Sequence, residues 1–154
     1  MTGAAAGTDK TSGTVRFKSA DNTTVDTNDR LQVPSSGTNY SYTKQLKFYV
    51  ASGTYTDIQN LRAYSDGANN FGTGVSVYHD TTNAFGTNFN TNLGGTDIFT
   101  KTSGSPVDLD TTNAGPHTST GYKGDILRLQ MRVADTATPG VLSAETLTFA
   151  YDET

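Results

Sequence analysis

Two histidines, thirteen aspartates and a run of tyrosines are the residues of this chain best suited to chemistry. His79 stands beside Asp80, and His117 follows Gly115-Pro116. A structural or catalytic metal centre wants three or four His, Cys or carboxylate ligands set by rigid elements. With no cysteine and two distant histidines that set is missing, and both histidines read as ordinary surface residues. The aspartates gather in loops, Asp21, Asp26 and Asp29 in one and Asp108 with Asp110 in another. Oxygen-rich loops can take Ca2+, but neither loop has the EF-hand spacing with its glycine and distal Glu. Their expected work is to cap turns and keep the surface soluble.

No G-x-S-x-G elbow, phosphate-binding loop or H-E-x-x-H pair occurs, and no nucleophile–base set stands out. The expectation is a protein that is not an enzyme and has no catalytic, metal-binding or cofactor-binding residues. Sequons at Asn22 and Asn39 are no more than chance gives in a chain with 40 Ser and Thr. Tyr40, Tyr42, Tyr49, Tyr55 and Tyr64 are the remaining lead. Exposed rings stack on sugars or make protein contacts, where Tyr is enriched. Core packing and cross-strand pairing account for most such residues, and the absence of Trp weakens the sugar reading.

The elements that must carry these residues are strands. Of 154 residues 28 are Thr, and with 12 Ser, 11 Asn, 16 Gly and 13 Asp these five types exceed half the chain. Leu, Ile, Val and Phe total only 28, a lean supply of core. The net charge of −4 is too small for disorder by repulsion, and fifteen Phe and Tyr spread from Phe17 to Tyr151 argue for a folded interior. Straight-chain helix formers are scarce, with 2 Glu, 4 Gln and 6 Lys, while Thr, Val, Tyr and Phe suit a pleated, half-buried surface. Eleven scattered basic residues and a pI near 4.9 deprive phosphate-backbone binding of its driving force, so no nucleic-acid partner is expected. No apolar run approaches the ~20 residues of a membrane helix, so no membrane partner is expected. Met1–Lys10 lacks both the basic and the apolar part of a signal peptide.

Residues 1–13 carry no apolar periodicity and read as an extended N-terminal arm, docked on its own sheet or pinned by a neighbouring subunit. From Thr14 to Thr154 the pattern is that of a single domain with period-2 alternation. Val15 and Phe17 form one face of a first strand, Leu31 and Val33 of a second, and Tyr42, Lys44, Leu46, Phe48 and Val50 of a third. A strand starting at Ile58 changes phase at Leu61, as a bulge would, and Asp66-Gly67 marks a turn. Val75 and Val77 follow. Residues 80–125 are loop-rich, with short strands around Ile98-Phe99 and Val107–Leu109, and Phe85, Phe89 and Leu93 spaced for one amphipathic helical turn. Leu127, Leu129, Met131 and Val133 then face inward with Arg128, Gln130 and Arg132 opposite, and Leu147, Phe149 and Tyr151 face inward in the last strand. About eight antiparallel strands with regular turn signals predict an all-β sandwich, Ig-like or jelly-roll.

Three segments carry a likeness. Ile58–Tyr78 (IQNLRAYSDGANNFGTGVSVY), Gly124–Gly140 (GDILRLQMRVADTATPG) and Glu145–Thr154 (ETLTFAYDET) resemble small β-sandwich structural proteins of tailed bacteriophages, closest to capsid decoration, or cement, proteins. The likeness covers roughly a third of the chain and does not extend to 80–125. It implies a virion protein on the capsid surface, with the major capsid protein and copies of itself, as a homotrimer, for partners. It also implies an arm that ties neighbouring subunits together. The alternative from a different class is a carbohydrate-binding or adhesive sandwich, including a phage tail or fibre module. That reading requires an exposed aromatic strip or an Asp-lined Ca2+ site.

Overall fold

The structure, a computed structural model, describes residues 14–22 and 28–154. The expected arm at 1–13 lies outside the described residues, as does Asp26. The rest is an antiparallel β-sandwich, as the alternation predicts. In chain order the strands are β1 (Thr38–Tyr40), β2 (Lys44–Val50), β3 (Ile58–Tyr64), β4 (Val75–Thr82), β5 (Thr96–Asp97), β6 (Val107–Asp108), β7 (Gly121–Ala134) and β8 (Thr148–Glu153). The larger sheet centres on the long β7, which pairs with β1 and β2 on one side and with β4 on the other; β5 lies beyond β4. The smaller sheet has the order β6–β3–β8.

The core lies between the layers. Leu127, Leu129, Met131 and Val133 of β7 meet Val75 and Val77 of β4, with Ile58, Leu61 and Ala63 of β3 from the facing sheet. Each large apolar side chain taken out of water contributes about 1.5–3 kcal/mol. Phe48 and Phe149, 5.3 Å apart and edge to face at 76°, pack β2 against β8 across the sandwich.

Two irregularities link the layers. The phase change expected at Leu61 is a register shift in β3 between Gln59 and Arg62, with Asn60 at φ 55°. In β7 the pairing passes from Leu46–Leu127 to Phe48–Lys123, so β7 advances four residues while β2 advances two. The surplus turns the Asp125 N–H toward the Leu109 carbonyl, 2.6 Å away, and the Leu109 N–H bonds to Leu61 at 2.8 Å. Only glycine fits at 124, where φ is 67° and a Cβ would stand 2.5 Å from the Leu109 oxygen and 2.6 Å from Leu61 Cδ1.

Several expected elements differ. The segments around Val15–Phe17 and Leu31–Val33 are not strands, although Phe17, Leu31 and Val33 do pack on the core; their backbones take other partners, as where the Tyr42 N–H bonds to the Lys18 carbonyl. Ile98–Thr100 forms a 3-10 turn, capped by the Asp97 carboxylate on the Phe99 N–H, where a strand was expected. Phe85, Phe89 and Leu93 form no helical turn, because the polar groups around them bond to the sheet beneath. Tyr151 takes the inward side expected, its ring edge to face with Phe48 of β2 at 6.3 Å, but stays 47% exposed near the end of the edge strand β8.

Candidate functional site

The outer face of the larger sheet is divided in two. Over one half lies the loop 83–95, which explains why Gln130, expected to face solvent, is fully buried. Gln130 Nε2 donates to the carbonyls of Ser41 and Thr91, both at 2.9 Å, and its Oε1 accepts from the Leu93 N–H at 2.8 Å. Arg132 donates to Asn92 Oδ1 and the Gly94 carbonyl, both at 2.7 Å, and its guanidinium lies over the Tyr78 ring at 3.3 Å. Gln45 exchanges bonds with Gly86 in both directions, and Phe89 does so with Thr43. Beside them Arg128 forms a two-pronged ion pair with Asp80 and lies over the Phe89 ring at 5.7 Å. The Asn- and Gly-rich loop is thus the polar lid that this face requires, because a buried side-chain amide without partners would be costly.

Among the described residues no loop covers the other half, which is aromatic. Tyr49 of β2 is the cross-strand partner of Tyr122 of β7, with ring centroids 5.0 Å apart. Phe85, where the loop begins, packs on Tyr122 at 5.8 Å, and Lys47 Nζ lies 5.9 Å from the Phe85 ring centre. Tyr49 is 61% exposed, and Tyr122 and Phe85 are each 48% exposed. The rings meet edge to face, at 68° and 72°. Tyr49 and Tyr122 stand on paired strands, so the ladder fixes their spacing, and Phe85 packs on Tyr122 from the loop.

Of the five tyrosines singled out by sequence, only Tyr49 belongs to this patch; Tyr40, Tyr42, Tyr55 and Tyr64 are half-buried. Its companions Tyr122 and Phe85 come from chain segments that sequence proximity does not connect. The signal available was the alternation of β2, which sends Tyr49 outward with Lys47.

The histidines correct the surface reading. His79 continues the inward face of β4 and is 7% exposed; its Nε2 stands 2.9 Å from Thr96 Oγ1, and its Nδ1 is buried without a hydrogen-bond partner. Burial pushes its pKa below the ordinary value and Lys101 adds to this, with Asp80 and Asp97 offsetting part. His117 pairs its backbone with Ile58, and its Nε2 lies 2.9 Å from Asp110 Oδ1. Asp110 also accepts from the N–H groups of Gly115 and Asn60, at 2.9 and 2.8 Å, so the pair fastens the 110–117 loop onto the β3 bulge.

The remaining loop aspartates divide: Asp108 caps a turn, as expected, whereas Asp21 and Asp29 bond to side chains. Asp108 accepts from the Asp110 N–H at 2.9 Å. Asp29 accepts from Asn22 at 2.8 Å and lies 3.2 Å from Lys18; these bonds hold its pKa below the usual carboxylate range. Asp21 accepts from Asn88. Among the described residues no group of three or more His, Cys, Asp or Glu is placed to hold a metal ion. Comparison with protein-family models, with curated proteins and with solved structures finds no match.

Proposed function

We propose that the chain is a virion structural protein: a capsid decoration protein that docks on the outer surface of a shell and stiffens it. Its partners are the major capsid protein and further copies of itself, as a homotrimer. The observation that carries this reading is the Tyr49–Tyr122–Phe85 patch on a rigid sheet, with a composition suited to protein contacts. The mechanism is mechanical: modest contacts repeated over many copies add through avidity, and a lean domain gains stability from what it binds. Purified chain added to undecorated shells of the virus that encodes it should bind at fixed stoichiometry and raise the temperature of shell rupture. Deleting Met1–Gly13 should leave the domain folded and lower both occupancy and heat resistance. Shells that neither bind the chain nor gain heat resistance would sink the proposal.

The exposed rings also favour a second reading, a carbohydrate-binding or adhesive module. Rings set edge to face make no coplanar platform for consecutive sugars, which puts this reading second. Glycan-array binding lost on Tyr49→Ser or Tyr122→Ser would reverse the order.

A further inference from the structure

We infer that the start of the domain is a self-modification site, where the Lys18 amine displaces ammonia from the Asn22 side-chain amide and leaves an isopeptide bond. Three side chains meet there. Lys18 Nζ donates to Asn22 Oδ1, Asn22 Nδ2 donates to Asp29 Oδ2 at 2.8 Å, and Asp29 Oδ2 lies 3.2 Å from Lys18 Nζ. Lysine is among the residues least often buried, yet Lys18 is 6% exposed. The backbone holds the group in place: the Ser19 N–H bonds to the Asp29 carbonyl at 3.0 Å, and the Tyr42 N–H to the Lys18 carbonyl at 2.9 Å. An ion pair needs only Lys18 and Asp29. Setting the amide oxygen on the amine and the amide nitrogen on the carboxylate is the order that acyl transfer requires. This chemistry is independent of what the sandwich docks on.

A lysine amine is a nucleophile once unprotonated, and a carboxylate within hydrogen-bond reach can serve as its base. Asp29 touches both the attacking and the leaving nitrogen, the two atoms between which protons must move. It takes a proton from the Lys18 ammonium; the freed lone pair attacks Asn22 Cγ, and the carbonyl electrons move to Oδ1. Asp29 returns the proton to Nδ2, the Cγ–Nδ2 bond breaks as the carbonyl re-forms, and ammonia departs. The new amide nitrogen passes its surplus proton to Asp29, from which ammonia carries it off as ammonium. One C–N bond forms and one breaks, and nothing is oxidised or reduced. Holding the groups together turns a bimolecular encounter into a step within the chain. The ion pair is the resting arrangement, because bonds from Asn22 and Lys18 hold the Asp29 pKa low. Closure is therefore slow, and the loss of ammonia makes it one-way. The product is a covalent staple in a chain that has no Cys.

The test is intact-mass spectrometry of the full folded chain, incubated after purification until its mass stops changing. The unaltered chain should be lighter than its sequence by one ammonia, and a proteolytic digest should contain a branched peptide joining Lys18 to Asn22. Lys18→Arg keeps the positive charge without a nucleophilic amine and should keep its full sequence mass. Asp29→Asn should slow closure about a hundredfold or more. Far-UV circular dichroism checks that both variants fold, and the branched peptide is read in the unaltered chain, so a misfolded variant leaves the test intact. An unaltered chain at full sequence mass overturns the inference and leaves Lys18 and Asp29 an ordinary ion pair. Ammonia loss that persists in Lys18→Arg also overturns it, because Asn22 then closes on its own backbone. Closure at the unaltered rate in Asp29→Asn overturns the role given to Asp29.

Discussion

The carboxylate of Asp125 accepts two hydrogen bonds from Asn113, one from the backbone N–H at 3.0 Å and one from the side-chain amide at 2.9 Å. The Thr111 N–H and hydroxyl add bonds at 3.2 and 2.6 Å, and the Thr112 N–H one at 2.9 Å. The side chain is 1% exposed and sits in the bulge of β7, so one carboxylate ties the 111–113 loop to the central strand of the larger sheet.

Removing that carboxylate should be among the most damaging single changes. Asp125→Ala leaves several donors without their acceptor and should cost about 2–4 kcal/mol; Asp125→Asn, which turns an amide donor toward other donors, should cost about 1–3 kcal/mol. Burial raises the Asp125 pKa, but the bonds from Thr111, Thr112 and Asn113 outweigh it, and the folded-state pKa lies below 3.8. As pH falls the unfolded chain takes the proton first, so this stability is full above 3.8 and is lost as pH drops through the folded pKa. Urea denaturation at pH 7 and pH 3 checks both statements: the gap between wild type and Asp125→Asn should narrow at pH 3.

Gln130→Ala should cost about 2–4 kcal/mol, because it strands the Ser41 and Thr91 carbonyls and the Leu93 N–H beneath a loop. Limited proteolysis should then cut within 83–95 faster than in the unaltered chain. Unchanged cleavage would show that the loop is held by Gln45, Thr43 and Arg132 without it.

Much of the framework was legible because one face of each long strand is apolar. The alternation of Leu127, Leu129, Met131 and Val133 located β7 and its inward face, and the phase change at Leu61 located the bulge. The same alternation misplaced Gln130. Periodicity reports which residues differ from their neighbours; it does not report that a distant Asn- and Gly-rich loop returns to cover the polar side. The loop takes its order from side-chain and carbonyl bonds to β2 and β7, which override the four-residue spacing of Phe85, Phe89 and Leu93. Phe17 and Leu31 show the converse: apolar residues that pack on the core need not lie in paired strands. The aromatic patch was half legible, since Tyr49 was marked and its partners depend on strand pairing.

His79 should make stability fall on mild acidification. Its folded-state pKa lies below the ordinary value of 6.5, chiefly through burial. Between that value and the folded pKa the unfolded chain binds the proton and the native state does not, so stability rises with pH in this window. It is fully present above 6.5 and is lost as pH falls toward the folded pKa. Melting temperatures at pH 7.5 and pH 5 should differ less in His79→Gln than in the unaltered chain; equal differences in the two proteins would exclude His79 as the cause.

Tyr49→Ser and Tyr122→Ser separate contact from folding. Both rings are about half exposed, and their mutual edge-to-face contact is worth about 0.5–1.5 kcal/mol beyond the area it buries. Each single change should therefore lower stability by about 1 kcal/mol, and the double change by less than the sum, since the pair is already broken by either one. Inward-facing Leu129 on the same strand gives the contrast: Leu129→Ala should cost about 2–5 kcal/mol. Binding should reverse that ranking. Occupancy on shells should fall sharply with the tyrosine changes and stay near normal for whatever fraction of Leu129→Ala remains folded. If shell binding follows stability and ignores the tyrosines, the patch is structural and the docking face lies elsewhere on the sandwich.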